Sequence, residues 1–226
     1  MAQEKQKEDG NWSDKDYSAH YNRLYATPAE EFGACLKKLS PGPSDTLLDL
    51  GCGNGEFLEL ALAKVSGAVG VDIADSQLEQ AALRFKGDAR VKLVKAAFLD
   101  YRPEPGAFTR GFSRKALHHL DDAAKPAFFE RLGPGFKPGA LFLLEDGIFD
   151  FERSELEQHW AALMNDCEAY YGAGWESKKS DVSFCFRQEF PAGVKAWTAA
   201  LAAGGFSVIA RERRSSFYGS LLAKKS

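Results

Sequence analysis

The sequence lacks the features that would place it among nucleic-acid-binding, membrane or secreted proteins. It has no basic excess, since 29 Lys and Arg stand against 32 Asp and Glu, a formal net charge of −3. Without a strongly positive surface, we expect no nucleic acid as its main partner. No hydrophobic run approaches about 18 residues, so no membrane-spanning helix is predicted. Residues 1–10 are polar and lack the apolar centre of a secretory signal, so we expect a cytoplasmic protein.

The chain also lacks a metal-binding or redox pattern. Its four cysteines, at positions 35, 52, 167 and 185, include no pair at CxxC spacing. His118 and His119 are adjacent, but no further His or Cys lies near them in the sequence. The pattern therefore predicts no metal site, and reduced thiols.

The length of 226 residues fits one large domain or two small ones. No internal repeat or linker divides the chain. We expect a disordered tail over residues 1–11 and a single domain over 12–226. Within that domain, a helical lid over 12–40 precedes the first strand, and residues 147–190 form an insertion on the acceptor side of the site. The sequence does not set the oligomeric state.

Apolar runs of strand length alternate with stretches of helical periodicity along most of the domain. Strands are predicted at 45–50, 68–73, 91–94, around Phe112, and at 140–145, 206–209 and 216–222. Helices are predicted at 12–26, 28–39, 56–65, 76–85, 121–132, 152–171 and 194–203, and a polar loop at 172–181. Strands joined by helices indicate an α/β fold, a parallel sheet with helices on both faces. The short gap between the last two strands requires that they pair antiparallel.

A glycine-dense turn directly follows the first strand. Gly51, Gly53 and Gly55 alternate in it, which allows positive φ and a close approach of ligand to backbone. The second strand ends in Asp72, where a carboxylate can accept hydrogen bonds from both ribose hydroxyls. Ligands of open parallel sheets bind beyond the carboxyl ends of the strands. Together these features indicate an adenosine-containing ligand.

The spacing of the turn distinguishes between such ligands. A dinucleotide fingerprint is G-x-G-x-x-G, with pyrophosphate at the helix N-terminus. This chain has G-x-G-x-G followed by Glu56, whose carboxylate disfavours a pyrophosphate there. Asp49, just before the turn, can help to hold an amino group. The residues therefore point to S-adenosylmethionine (SAM), and a nicotinamide-dependent oxidoreductase remains as an alternative.

Four segments resemble the motifs of class I SAM-dependent methyltransferases of the small-molecule type. They are residues 48–55 (LDLGCGNG), 71–73 (VDI), 115–120 (KALHHL) and 132–140 (LGPGFKPGA). The resemblance runs from about residue 17 to residue 224. It implies a Rossmann-like, seven-stranded, mostly parallel sheet of order 3-2-1-4-5-7-6 with the last strand antiparallel.

The resemblance also implies a set of cofactor-binding residues. In this set Asp72 holds the ribose, Ile73 and Phe98 sandwich the adenine, and Ser113 and His118 line the methionine end. Cys52 contributes backbone rather than its thiol. The full set comprises Asp49, Gly51, Cys52, Gly53, Asn54, Gly55, Asp72, Ile73, Ala97, Phe98, Ser113, His118, Tyr17 and Tyr21.

One position departs from the family pattern. Ala97 stands where many members carry an acidic residue for the adenine amino group, and Asp100 is a second candidate for that carboxylate. Tyr17 and Tyr21, with Tyr25, share one helical face, which forms either a lid over the ligands or packing for an N-terminal helix.

The function that the resemblance implies is methyl transfer from SAM to a small-molecule nucleophile, giving S-adenosylhomocysteine (SAH). Such a reaction can proceed mainly by alignment and desolvation of the reactants. No catalytic residue is therefore assigned, and His118, His119 and Tyr21 are only candidates. A non-catalytic SAM- or SAH-binding module of the same fold is the main alternative.

The residues around the acceptor allow two interpretations each. Glu145 and Asp146, at the end of the fifth strand, either contact the acceptor or cap a loop. The aromatic side chains of the insertion either form the wall of an acceptor pocket or pack in the core; they are His159, Trp160, Tyr170, Tyr171 and Trp175. The charged run at 211–214 is predicted to be solvated.

Overall fold

The computed structural model describes residues 25–226 of the chain. Its strands are β1 (Thr46–Leu50), β2 (Gly67–Asp72), β3 (Val91–Lys95), β4 (Phe108–Arg114), β5 (Phe136–Phe149), β6 (Ala192–Gly193), β7 (Phe206–Arg213) and β8 (Tyr218–Lys225). Its α-helices are α1 (Ala29–Leu39), α2 (Glu56–Leu62), α3 (Asp75–Arg84), α4 (Ala124–Leu132), α5 (Leu156–Tyr171), α6 (Trp175–Gln188) and α7 (Val194–Ala203). Within this part of the chain, no helix is long and apolar enough to cross a membrane.

The strands form one sheet of order β3-β2-β1-β4-β5-β8-β7, and the two-residue β6 pairs with the end of β5. β8 runs antiparallel to both β5 and β7, whereas β1 to β5 pair in parallel. With β6 set aside, this is the predicted order 3-2-1-4-5-7-6. The Rossmann-like α/β architecture is therefore confirmed.

Helices cover both faces of the sheet because its central strands are buried on both sides. In β1, Leu47 packs into one apolar cluster with α1 and α2, and Leu48 and Leu50 pack into another with α4 and α7. Successive side chains of a strand point to opposite faces, so a strand between two cores is an unbroken apolar run. Asp49 interrupts that run, and its buried carboxylate marks the point where the strand enters the site.

The polar loop predicted at 172–181 is wrong, because α6 begins at Trp175. Trp175, Val182 and Phe186 recur at helical spacing and are buried. The polar run between them hides this stripe in the sequence. Together with residues of α5 and with Phe217, they form a third apolar cluster, so the 147–190 segment has a small core of its own.

The N-terminal predictions fall partly outside the described residues. The tail over 1–11 and most of the first predicted helix, with Tyr17 and Tyr21, lie there. Of the predicted lid, the described part contains Tyr25 and α1. The ring of Phe32 on α1 lies 5.7 Å from that of Phe57 on α2, which fixes α1 beside the glycine turn.

Candidate functional site

A cavity opens at the carboxyl ends of β1, β2 and β4, where an open α/β sheet binds its ligands. Its walls come from the turn after β1, the end of β2, the loop after β3, the segment after β4 and the chain before α1. The predicted cofactor residues that line it are Asp49, Gly51, Cys52, Gly53, Asn54, Asp72, Ile73, Ala97 and Phe98.

Gly51 has to be a glycine at this site. It has a φ of +73°, and a Cβ there would lie 2.4 Å from the Cβ of Ala116 in the segment after β4. Its N–H donates to the carbonyl of Val71 at 2.8 Å, which holds the turn against the end of β2. The backbone of the turn is therefore exposed to the cavity because no side chain intervenes.

Asp72 joins the glycine turn to the start of α3. Its Oδ2 accepts the N–H of Gly53 at 2.8 Å, and its Oδ1 accepts the N–H of Ala74 at 2.9 Å. A carboxylate has about four lone-pair positions, so each oxygen retains acceptor capacity. The carboxylate is thus fixed in orientation and can still accept two hydroxyl donors from a ligand.

Asp49 places a second carboxyl group beside the first. It is only 2% exposed, and burial, followed by the negative charge of Asp72, raises its pKa well above the usual range. Burial also raises the pKa of Asp72, against the hydrogen bonds of Ala74 and Gly53. A buried carboxyl group beside a second carboxylate is costly to ionise, so the pair favours a cationic ligand.

Ile73, Ala97 and Phe98 form an apolar slot next to these carboxyl groups. The ring of Phe98 is held edge-on against Phe128 of α4, with ring centroids 5.8 Å apart. Ala97 lines the slot with its methyl group, whereas the exposed Asp100 is not among the lining residues. The slot therefore suits a flat apolar ring, with no carboxylate at the position where many family members have one.

Glu56 stands at the first position of α2 and lines the cavity. Asn54 donates through Nδ2 to its Oε1 at 3.1 Å, so the carboxylate is held at the helix N-terminus. A phosphate bound there would meet a negative charge, as the sequence predicted.

Another part of the cavity lining carries cationic side chains. Arg114 and Lys115, at the end of β4, both line it. Arg114 is paired with Glu31 at 2.5 Å and lies 3.3 Å from Glu145. Lys115 has a φ of +51°, and burial, followed by the charge of Arg114, lowers its pKa to about 8.

The ammonium of Lys115 packs on aromatic rings. It lies 5.5 Å from the ring of Tyr25 and 5.7 Å from that of Tyr218. No carboxylate of the described residues lies within salt-bridge distance of it. The cavity therefore has a carboxylate side and an ammonium side.

This fold is shared with solved methyltransferase structures. The chain aligns with the cyclopropane synthase MmaA2 of Mycobacterium tuberculosis at a TM-score of 0.61 and 20% identity, covering 81% of this chain and 62% of that one. It aligns with geranyl diphosphate C-methyltransferase of Streptomyces coelicolor A3(2), solved with Mg²⁺, geranyl diphosphate and SAH, at 0.66 and 15%, covering 88% and 79%. At such identities the likeness is one of fold alone.

The sequence comparison matches part of the chain to a known family. Residues 47–139 match the family model described as a methyltransferase domain. A probable fatty acid methyltransferase of Pseudomonas putida is 28% identical over 142 residues, which cover 58% of this chain and 36% of that protein. The chain thus spans about a third of the length of that relative.

Three of the predicted cofactor residues do not line the cavity. Gly55 faces α3, where a Cβ would lie 2.5 Å from the ring of Phe85. Ser113 is fully buried and its Oγ donates to the carbonyl of Leu50 at 2.9 Å, which joins β4 to β1. His118 lies behind the wall. Tyr17 and Tyr21 lie outside the described residues, so their roles stay predictions.

Glu145 and Asp146 also lie behind the wall of the cavity. Glu145 is 0% exposed, and its Oε1 accepts the hydroxyl of Tyr218 at 2.7 Å. Asp146 is equally buried and binds the Nδ1 of His118 at 2.6 Å. Neither lines the cavity. Glu145 therefore holds Tyr218 in place, and Asp146 holds His118, rather than contacting an acceptor there.

The aromatic residues of the insertion pack against one another and against neighbouring side chains, which is the second of the two alternatives given for them above. Trp175 is 3% exposed and stacks on Tyr171 with ring centroids 6.1 Å apart. His159 stacks on Phe151 at 4.2 Å, and Trp160 lies under the guanidinium of Arg187. None of the five predicted wall residues lines the described cavity.

The charged run at 211–214 is only partly solvated. Arg211 and Arg213, on β7, both pair with Asp150 at 2.5 Å and are well exposed. Arg214 turns inward and lies 3.3 Å from both Glu31 and Glu145. The prediction is therefore wrong for Arg214, which belongs to the charged network behind Arg114.

Sequence reasoning missed several cavity-lining residues. Gln77 of α3 and Phe112 of β4 line it, together with Arg114, Lys115 and Ala116. The KALHHL motif placed this segment near the cofactor, but the positive φ of Lys115 has no signature in the sequence.

Proposed function

We propose that this protein is a SAM-dependent methyltransferase that acts on a small-molecule acceptor. The observation that carries the proposal is the buried carboxyl group of Asp49 next to the half-buried one of Asp72, beside a bare glycine turn. A cationic, phosphate-free adenosine ligand fits that arrangement, because its positive charge relieves the repulsion between the two carboxylates.

The residues divide the binding of SAM between them. Asp72 accepts the ribose hydroxyls, Ile73 and Phe98 enclose the adenine, and Asp49 orients the amino-acid end. When bound, SAM supplies a methyl group on a positively charged sulfonium with an excellent leaving group. The protein then has to align the two reactants and exclude water.

The cationic side of the cavity supports an anionic group on the acceptor. Lys115 is a buried ammonium held between two rings, and an anion placed against it would regain the energy that its burial costs. The two names among the relatives point the same way, since a fatty acid carries a carboxylate and geranyl diphosphate carries phosphates. We propose a carboxylate or phosphate on the acceptor as the feature that Lys115 recognises.

Of the three catalytic candidates, His119 is the one that lines the cavity in the described part of the chain. Burial, followed by the positive charge of His118, lowers its pKa to about 4, so it is neutral near pH 7. Alignment rather than proton transfer is proposed as the main source of rate. An anionic acceptor needs no base to ionise it.

We propose a cytoplasmic location because the cysteine thiols are not joined in disulfides. All four cysteines are free in the structure, and three of them are buried. Thiols persist in this form in a reducing compartment.

Calorimetric titration with SAM, SAH and NAD tests the proposal first. We expect micromolar binding of SAM and SAH and no heat with NAD. Incubation with methyl-labelled SAM and paired acceptors, each a free acid and its neutral ester, then follows transfer. Label in the acids but not in the esters supports the anionic class.

Each other outcome points to a different conclusion. SAM binding without transfer to any acceptor favours the non-catalytic module, and preference for NAD favours the oxidoreductase. Asp72→Ala should weaken SAM binding, whereas Asp75→Ala, at an exposed residue paired with Lys95, should not.

A further inference from the structure

A second polar cluster lies beside the cavity, where the segment after β4 meets the end of α6. The Nε2 of His118 lies 3.3 Å from Oε2 of Glu189, and the Nδ1 of His119 lies 3.4 Å from Oε1 of the same carboxylate. One ligand atom from each of the three residues falls within 4.8 Å of the other two. The histidines are adjacent in the sequence, but only the fold brings Glu189 to them.

The cluster is held in place from behind. Asp146 accepts from Nδ1 of His118 at 2.6 Å and from the backbone N–H groups of Leu117 and His118 at 3.0 and 3.2 Å. The N–H of Phe190 donates to the carbonyl of His118 at 2.8 Å, which ties Glu189 to the histidine pair. His118 therefore presents Nε2 and Glu189 its carboxylate in fixed positions.

We propose that His118, His119 and Glu189 form a binding site for a divalent transition-metal ion, with Zn²⁺ as the preferred ion. A tetrahedral zinc ion takes nitrogen and oxygen ligands at about 2.0–2.2 Å, which places neighbouring ligand atoms about 3.4 Å apart. The two histidine–carboxylate distances match that spacing before any ion is bound. The inference does not depend on the proposed methyl transfer.

The buried carboxylate of Asp146 completes an arrangement common around zinc. A metal-ligating histidine typically donates its other ring N–H to a carboxylate, which fixes the tautomer and strengthens the ligand. With both histidines neutral, the charges of Asp146 and Glu189 balance a divalent cation.

The donor set selects the type of ion. Two imidazoles disfavour Mg²⁺, which requires octahedral oxygen ligands. The thiol of Cys185 lies close enough to His118 and Glu189 to shift their pKa values, so a soft fourth donor is near the cluster. Imidazole, carboxylate and thiolate together favour Zn²⁺ or Co²⁺.

The side chains are accessible enough for an ion to enter. His118 is 10% exposed, His119 18% and Glu189 21%, and His119 lines the cavity. The site thus opens toward the cavity rather than lying sealed in the core.

The experiment uses tag-free full-length protein, stripped with a chelator and then titrated with Zn²⁺ alone and with Mg²⁺ alone. We expect one equivalent of Zn²⁺ to bind at micromolar concentration or tighter, and Mg²⁺ not to compete. Replacement by Co²⁺ should give the intense visible absorption of a tetrahedral site. A sulfur-to-cobalt charge-transfer band would show that Cys185 is the fourth ligand, and its absence would leave water there.

Variants locate the ion. Glu189→Gln and His119→Gln should each lower the Zn²⁺ affinity more than about 100-fold, and Asp146→Asn by about 10–100-fold. His159→Gln is the matched control, because that histidine stacks on Phe151 away from the cluster and should leave the affinity unchanged. Circular dichroism and thermal unfolding confirm that each variant is folded.

Two results would overturn the proposal. One is the absence of stoichiometric Zn²⁺ binding by folded wild-type protein. The other is Zn²⁺ binding that survives in folded Glu189→Gln and His119→Gln, which would place the ion elsewhere. SAM binding in the zinc-free protein is measured separately, so loss of one property is distinguished from loss of the other.

Discussion

Lys115 is predicted to lower the stability of the fold, because its ammonium group is largely removed from water in the cavity. Its pKa falls from 10.5 to about 8, mainly through burial. A change of one pKa unit corresponds to about 1.4 kcal/mol, so the full charge costs about 3 kcal/mol. Partial exposure and the two aromatic contacts reduce this figure. We therefore expect Lys115→Met to stabilise the protein by about 1–2 kcal/mol at pH 7.

The pH dependence of this effect has a definite sign. Between pH 8 and 10.5 the unfolded state binds the Lys115 proton more tightly than the folded state, so the stability contributed by this group rises with pH. Below pH 8 the cost is fully present, and above 10.5 it is gone because both states are neutral. The difference between Lys115→Met and wild type should therefore be largest near pH 7 and shrink toward pH 10.

Urea unfolding at pH 7, 8.5 and 10 measures this difference. Lys64→Met, at an exposed lysine, is the control and should change the stability by less than about 0.5 kcal/mol at each pH. A Lys115→Met protein that is less stable than wild type at pH 7, or a difference that does not vary with pH, would refute the reasoning.

Lys115→Met also tests whether Lys115 contacts the acceptor or the cofactor. If Lys115 recognises an anionic acceptor, Lys115→Met should raise the acceptor KM while leaving the Kd for SAM within about threefold. Loss of SAM binding instead would move Lys115 to the cofactor side and remove the support for an anionic acceptor.

Three further predictions concern the cofactor side. Asp72→Ala should weaken SAM binding by about 1–3 kcal/mol, or roughly 5- to 150-fold in Kd by calorimetry, because the ribose donors lose a charged acceptor; an unchanged Kd would contradict the role of Asp72. Gly51→Ala should abolish SAM binding and lower the melting temperature, because its φ is +73° and the new Cβ would lie 2.4 Å from the Cβ of Ala116. Gly87→Ala is the control: its φ is also positive but the space around it is open, so it should lower the stability without affecting SAM binding. SAM affinity should fall as the pH drops through the raised pKa of Asp49, because protonation removes the charge that binds the cation, and Asp49→Asn should flatten that dependence.

The sequence predicted the parts of the site that local chemistry determines. The turn after β1 needs glycines because its backbone is exposed to the ligand, and the end of β2 needs a carboxylate in a fixed position. Both requirements are met within short segments of the sequence. Asp72 and Gly51 were therefore identifiable from their neighbours in the chain. The alternation of strands and helices likewise predicted the parallel sheet covered on both faces, whereas the strand order came from the family resemblance.

What the sequence could not supply depends on contacts between distant segments. Glu189 joins the histidine pair only because its segment is tied to His118 by the hydrogen bond from Phe190. Arg214 belongs to a charge run that looks solvated, yet the β7–β8 turn directs it toward Glu145. In both cases a polar residue has a partner about 70 positions away, for which no spacing rule exists.

The distribution of charge around the cavity orders the binding of two reactants. Burial raises the pKa of both Asp49 and Asp72, and the charge of Asp72 raises that of Asp49 further, so their side attracts a cation and repels an acidic acceptor. Lys115 repels the sulfonium and attracts that acceptor, whereas the charge of Arg114 is compensated by Glu31 and Glu145. Because Asp49 is buried and Asp72, Arg114 and Lys115 are half-buried, the repulsion of a misplaced ligand is screened less than it would be in water. The cavity therefore distinguishes its two ligands by charge as well as by shape. Reversing the charge in Lys115→Glu should weaken the binding of anionic acceptors and leave the binding of neutral ones unchanged. Competition between a free acid and its neutral ester measures this difference.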